Sequence, residues 1–287
     1  MIANRKFPNR MSPDTSARWI KLISYAVLIV GALMMVMPFV WSITTSLKPQ
    51  AQLFINPPFW IPWPPDFSAY SELMERVNFG QYALNTLKVA SLITIGQLIT
   101  CSMAGYGFAK IKFPGRDKIF LLFLATMMVP AAVTLIPNFV VMRELKLVDT
   151  HAGLIIPFLG SAYGTFLLRQ FYLNFPDELE EAAKLDGCNP FTYYLYILLP
   201  NSKAILSALG LLTFQTFWNE FQWSLIMINT ESKRTLQVGL SYLLNENYIN
   251  WPWLMAASVL TTLPILVLFF LTQKQFVQSV RFSGLKG

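Results

Sequence analysis

Long intervals without a single Asp, Glu, Lys or Arg alternate with short charged clusters along this chain. Lys21 and Lys48 bracket the first interval, with its core at about 22–41. Lys88 and Lys110 bracket the second (89–109), Lys118 and Arg143 the third (119–142), Asp149 and Arg169 a shorter fourth (152–168). The fifth, about 205–227, is interrupted only by Glu220, and the sixth, about 253–271, lies between Glu246 and Lys274. A helix needs roughly 20 apolar residues to cross the hydrocarbon core. The chain has 287 residues, 54% of them hydrophobic, so six such runs leave too little polar surface to wrap a soluble helical core. The expected fold class is all-α: a polytopic membrane protein with six transmembrane helices. The first run is too long for a cleaved signal peptide and lacks a small-residue cleavage site.

Only 13% of residues are charged, about half the share usual in soluble domains. The net charge of +7 does not point to nucleic acid, because the cations sit at the ends of the apolar runs. Cytoplasmic segments carry the excess of Lys and Arg in membrane proteins. Arg5, Lys6, Arg10, Arg18 and Lys21 precede the first run; Lys110, Lys112, Arg116 and Lys118 follow the second; Lys274, Arg281 and Lys286 follow the last. Six spans place all three groups on one side, so an N-terminal tail (1–21) and a C-terminal tail (274–287) are expected in the cytoplasm. The opposite face takes Ser42–Gln81, Arg143–Asp149 and about Asn229–Trp251. The first of these holds PPFWIPWPP at 57–65, whose prolines bar regular helix and whose tryptophans suit a membrane interface. Cys101 lies in a run and Cys188 in a loop, so no disulfide or metal spacing is expected.

Between the fourth and fifth runs lies a segment of different character. Phe175-Pro176-Asp177-Glu178 reads as a helix start, with proline tolerated in the first turn and acidic residues favoured by the helix dipole. Gly187 reads as its terminator. The helix is predicted at about 11 residues, roughly 16 Å, too short and too charged to span. Leu179, Ala182 and Ala183 share one face. Gly187 then allows a turn before Pro190 opens a second short helix towards Pro200. From the residues alone this is either an ordinary interfacial loop or a rigid knob that inserts into a cytoplasmic partner.

The stretch EAAKLDGCNPFTYYLYILLP, residues 181–200, resembles the EAA loop of ABC importer inner-membrane subunits. Glu181, Ala182, Ala183, Gly187, Ile197, Leu199 and Pro200 match its pattern. FPGRDK at 113–118, LIPNFVVMRELKLVDT at 135–150, FLLRQFYLNFPDELEEAAKLDG at 166–187, FWNEFQWSLIMI at 217–228 and the run at 254–277 resemble the carbohydrate branch, in particular maltose-permease-like second subunits. The tail SVRFSGLKG departs from that branch's GAVKG-type ending. The resemblance implies the type I ABC importer permease fold, with 176–200 as the cytoplasmic coupling loop. It implies a heterodimer with a homologous permease subunit, two separate ATP-binding subunits and an extracellular or periplasmic solute-binding protein. In this reading Glu181, Ala182, Ala183, Asp186 and Gly187 couple to the ATPase. ATP and Mg belong to the partner, in keeping with the absence of a GxxxxGK[ST] phosphate loop from this sequence. The implied location is the bacterial cytoplasmic (inner) membrane.

A solute path needs hydrogen-bonding groups and flat aromatic faces within the spans. Asn85, Gln97, Ser102 and Tyr106 in the second run, and Trp218, Asn219 and Glu220 in the fifth, are the candidates. Pro130, Pro137 and Pro264 are candidate kink positions. No Lys or Arg lies inside a run, which tilts the solute towards a neutral sugar and away from glycerol phosphate. An ion-coupled secondary transporter calls for inverted repeats or charged midplane residues, neither of which is evident. A membrane-embedded enzyme calls for clustered His, Asp or Cys, and His151 is the only histidine.

Overall fold

The computed structural model describes residues 13–55, 60–244 and 250–284, with side chains described at 18–55, 60–243 and 250–273. The basic residues Arg5, Lys6 and Arg10, positions 57–59 of the proline-rich stretch, Glu246 and Lys286 lie outside the described residues, as do the side chains of the C-terminal tail. The described residues are helical apart from turns, bends and short irregular links. In chain order the helices are α1 Pro13–Ser46, α2 Ser68–Arg76, α3 Phe79–Lys110, α4 Arg116–Ala125, α5 Ala131–Glu144, α6 His151–Ile155, α7 Ala162–Leu173, α8 Asp177–Leu185, α9 Pro190–Tyr193, α10 Leu199–Asn201, α11 Lys203–Trp218, α12 Gln222–Met227, α13 Leu236–Ser241 and α14 Trp251–Gly284.

Among the described residues, three helices are long and apolar enough to cross a membrane: α1 over Arg18–Ser46, α3, and α14 over Trp251–Gln273. Three bent helix pairs are long and apolar enough when each is taken as one unit, which gives up to six spans. The third run is not one rod. A 3-10 turn, Thr126–Met128, follows α4, Val129 is extended ahead of Pro130, and α5 leaves at 100°. Proline lacks an amide and drives its predecessor out of the helical region, so the break falls at Pro130. Pro137 and Pro264 are instead carried inside helices α5 and α14. The fourth run breaks by 40° between Phe158 and Ala162, and α11, which carries the start of the fifth, leaves the preceding helical stretch Pro190–Asn201 at 77°. The fifth run then stops at Trp218, before α12.

The chain divides into two compact units, residues 1–70 with 250–259, and residues 71–249 with 260–287. In the first unit, the apolar stretch Arg18–Ser46 of α1, 29 residues, is exposed along most of its length. Its end is fastened by Ser46, whose hydroxyl lies 2.7 Å from that of Tyr70, and by Trp41, packed edge-on to Trp60 with Lys48 over its ring. In the second unit, α3 is the central helix and packs on both α7 and α11. Gly105 brings α3 close to α7: a Cβ placed there would lie 3.0 Å from Leu168 Cβ and 3.1 Å from the Arg169 amide nitrogen. Such small-residue crossings substitute for the hydrophobic effect between helices in lipid, where close van der Waals contact drives association. One buried cluster gathers Cys101, Tyr106, Leu168, Tyr172, Tyr193, Tyr194 and Leu198; another, further back along α3, gathers Val89, Ile93, Leu154, Trp223 and Met227.

Arg169, which bounds the fourth run in the sequence, lies inside α7 rather than at its end. Its guanidinium donates to the Phe108 carbonyl (3.1 Å) and to Asp117 (3.0 Å), and lies over the Phe120 ring. A helix carries a cation past the apolar run when partners of this kind replace water around it.

Candidate functional site

The segment from Asp177 to Asn201 is built as a helix, a glycine stop and a second helical stretch. Asp177, Glu178 and Glu180 occupy the first turn of α8, where the unpaired amides and the dipole favour negative charge. Lys184 closes an i,i+4 pair with Glu180 at 2.7 Å, and Glu180 raises the Lys184 ammonium above its ordinary range. The helix spans 9 residues, shorter than the predicted length because Asp186 already leaves it as the C-cap. Gly187 adopts φ +81°, its amide donates to Lys184 O, and the Cys188 amide donates to Ala183 O. These two bonds form the Schellman stop, which requires a left-handed residue at the glycine position.

Asn189 starts the next stretch, its Oδ1 accepting from the Thr192 amide at 2.8 Å, and Pro190 follows at the first helical position. The chain continues through a π-helical turn, Tyr194–Leu198, into α10 and then turns at the buried Ser202 into α11. α3 holds this stretch at two points. Tyr106 donates to Pro190 O at 3.0 Å, and Ser102 and Tyr194 share a hydroxyl hydrogen bond of 2.7 Å. A third contact lies at the end of α3, where the Lys110 ammonium donates to Phe175 O (3.0 Å) and to the Asp177 carboxylate. That ammonium holds the Asp177 carboxyl below the usual carboxylate range.

The five predicted coupling residues do not share one face. Glu181, Ala182, Asp186 and Gly187 are exposed, whereas Ala183 is 4% exposed and belongs to the cluster that includes Tyr106 and Tyr193. The small Ala183 side chain therefore seats α8 on its own chain. The apolar residues facing outward beside Glu181 and Ala182 are Leu179 and the almost fully exposed Leu185.

Most of the predicted path residues are engaged within the chain. Asn85 is buried and donates to Ser232 O and Arg234 O, both at 2.9 Å. Gln97 is buried, donates to Phe158 O and accepts from the Thr213 hydroxyl. Tyr106 is buried and donates to Pro190 O. Trp218 is buried, stacks on Phe214 and donates from Nε1 to Thr261 O at 3.0 Å. Asn219 is exposed and accepts from Gln237; Glu220 is half-buried and accepts from the Trp223 amide, satisfying one of the free donors at the start of α12.

At the far end of α3 the link between α12 and α13 is tied down by Asp149. Its carboxylate accepts from the amides of Asn229 and Thr230, the Thr230 hydroxyl and the Lys233 ammonium. The Thr230 hydroxyl and amide, followed by Lys233 and Asn229, hold that carboxyl well below its ordinary range. Nothing in the local sequence marks Asp149 or Lys110 as more than the end of an apolar run. Among the described residues, no group of three His, Cys, Asp or Glu side chains could hold a metal ion.

The chain is similar to known proteins in sequence and in fold. The family model for the binding-protein-dependent transport system inner membrane component matches residues 97–282. The chain is 31% identical over 271 residues to the sn-glycerol-3-phosphate transport system permease protein UgpE of Yersinia pestis bv. Antiqua (strain Antiqua), covering 92% of this chain and 96% of that protein. It is 32% identical over 286 residues to the arabinooligosaccharides transport system permease protein AraQ of Bacillus subtilis (strain 168), covering 97% and 99%. The fold matches, with a TM-score of 0.80 and 26% identity, a chain from the crystal structure of a bacterial ABC transporter involved in the import of the acidic polysaccharide alginate, covering 93% of this chain and 99% of that one. The chain therefore belongs to the family of binding-protein-dependent transport system inner membrane components, as a permease subunit of an ABC importer.

Proposed function

We propose that this chain supplies half of the transmembrane path of an ATP-driven importer for a sugar or related solute, and that α8 couples it to a separate ATP-binding subunit. The observation that carries this reading is the construction of α8. It is a short acidic helix with Glu181, Ala182 and Leu185 on its exposed side, stopped by Gly187 and seated on its own chain through Ala183. Such a helix transmits force because its base is fixed while its outer face is free for a cleft. Glu181 faces polar or basic groups there; Asp186 and Gly187 fix the exit.

In this reading the spans are the six predicted runs, about 22–41, 89–109, 119–142, 152–168, 205–227 and 253–271, and both tails and the loop 176–200, which holds α8, are cytoplasmic. Two apolar surfaces support a second, homologous permease beside this one. The apolar stretch of α1 is exposed along most of its length, and α3, α11 and the later part of α14 line an apolar groove of about 790 Å³. Lipid covers what the partner leaves. The complex is completed by two ATPase subunits, which hold ATP and Mg, and by an external solute-binding protein.

The solute is a neutral carbohydrate. The support is that no Lys or Arg lies inside a predicted run, and that Arg169, which bounds the fourth, is already paired with Asp117. Solute contact on this chain falls to Asn219 and Glu220, while Asn85, Gln97, Tyr106 and Trp218 hold the walls in place. The test is purification of the whole complex with wild-type chain or Glu181→Lys, followed by identification of the bound solute. The expected result is loss of the ATPase subunits from Glu181→Lys complexes and a neutral sugar in the wild-type sample. Full ATPase content and undiminished uptake with Glu181→Lys would overturn the coupling role, and a phosphorylated solute would overturn the sugar assignment.

A further inference from the structure

α3 runs unbroken for 32 residues, about 48 Å at the rise of an α-helix. Both of its ends are tied to other elements of the second unit. At the first end, Asn85 donates to Ser232 O and Arg234 O, and the Thr86 hydroxyl accepts from the Leu236 amide at 2.7 Å. At the other end stands Lys110, in the last turn, with a side chain only 7% exposed. Its ammonium reaches two groups 65 and 67 positions along the chain: the carbonyl of Phe175 and the carboxylate of Asp177. Phe175 lies in the link between α7 and α8, and Asp177 is the first residue of α8. One buried-stemmed cation thus joins the C-terminal end of the central helix to the N-terminal end of the coupling helix. The polarity is favourable on both sides, because a cation suits the last turn of α3 and an anion the first turn of α8.

We propose that Lys110 is a positioning residue for energy coupling: it makes α8 and α3 move as one body, so that displacement of the coupling helix reaches the Asn85–Ser232–Arg234 contact at the far end. The proposal rests on α8 being the ATPase-facing helix. The Tyr106–Pro190 and Ser102–Tyr194 bonds hold the stretch after Gly187, whereas Lys110 alone among these α3 contacts reaches the entry to α8. Without its charge, α8 keeps its Schellman stop and the seating of Ala183, but its leading end is released from α3.

The experiment uses the complete importer in lipid vesicles. The quantity read is ATP hydrolysis with the solute-binding protein, purified with its endogenous solute, divided by hydrolysis without it. Lys110→Met keeps the apolar stem and removes the charge. The expected result is full ATPase-subunit content, an unchanged unstimulated rate and a stimulation reduced by at least about fivefold, the lower range of ordinary coupling between sites. Lys110→Arg restores the stimulation. A Lys110→Met complex with wild-type stimulation overturns the proposal. Should Lys110→Met fail to assemble, Asp177→Asn decides in the same assay, since it leaves the buried stem untouched: reduced stimulation supports the proposal and unchanged stimulation overturns it. Failure of the underlying reading is visible separately, as Glu181→Lys complexes that retain their ATPase subunits and their stimulation.

Discussion

The amide of Cys188 donates to the carbonyl of Ala183 at 2.9 Å, across a turn that only a left-handed residue completes. Gly187 supplies that residue at φ +81°, and a Cβ there meets nothing within 4 Å. The constraint is therefore backbone conformation and not space. A side chain at this position costs about 1–2 kcal/mol, least for Asn and most for a β-branched residue. ATP-driven uptake by the assembled complex is expected to fall in the order Gly187→Asn, Gly187→Ala, Gly187→Val. Equal uptake for Asn and Val variants would show that the turn does not position α8.

Gly105 is limited by space instead. Its Cβ position lies 3.1 Å from the Arg169 backbone nitrogen, which cannot swing aside as a side-chain tip does. Gly105→Ala is expected to push α3 and α7 apart by a few tenths of an ångström and to lower the melting temperature modestly. Gly105→Leu overpacks the crossing by about 1–3 kcal/mol or more, and is expected to abolish recovery of folded complex in detergent. Fluorescence-detected size exclusion reads both, and a monodisperse Leu variant would contradict the close crossing.

Asp149 makes a pH prediction. Its carboxyl is depressed in the folded chain, so its contribution is fully present above the unfolded carboxylate pKa of about 4. That contribution is lost as pH falls through the lower folded value. Hydrogen exchange at Asn229 and Thr230 is therefore expected to show constant protection factors from neutral pH down to about 4, after correction for intrinsic exchange. Asp149→Asn, which cannot carry the charge that Lys233 faces, is expected to speed exchange there across the whole range. Protection lost between pH 7 and 5 would point to another group.

Trp218 and Asn219 are adjacent but differ in their surroundings. Trp218→Ala empties a buried site and is expected to cost about 3–5 kcal/mol, seen as loss of assembled complex. Trp218→Phe keeps the ring against Phe214, loses the bond to Thr261 O, and is expected to lower stability without changing solute preference. Asn219→Ala is expected to leave assembly intact and weaken uptake at low solute concentration. A changed solute preference in Trp218→Phe, with Asn219→Ala silent, would reverse the two roles.

The orientation is open to thiol labelling. Cys188 is partly exposed and Cys101 buried, so Cys188→Ser provides the background. A cysteine at Ser71 is expected to react with an impermeant reagent from outside intact cells, and one at Asn189 only after permeabilisation. Labelling of Asn189 from outside contradicts the arrangement with six spans and inward tails.

Local chemistry was enough to place many of these features in the sequence. The first, second and sixth uncharged runs fall on helices long and apolar enough to cross a membrane, because no run of that length tolerates an unpaired ion in hydrocarbon, and Gly187 marks the end of α8 because left-handed backbone falls to glycine. The same logic did not show that α7 continues past Arg169, whose guanidinium donates to Asp117, 52 positions earlier. It also put Ala183 on one face with Leu179 and Ala182, whereas the structure buries Ala183 against its own chain and leaves the other two exposed, because small size suits an inner seat as well as an outer face. Which polar residues serve the walls, and that Lys110 meets Phe175 and Asp177, depends on the packing of α3 against α7 and on the chain's path into α8. Those contacts join residues far apart in the chain, and only the tertiary structure decides which distant carbonyl or carboxylate a buried donor reaches.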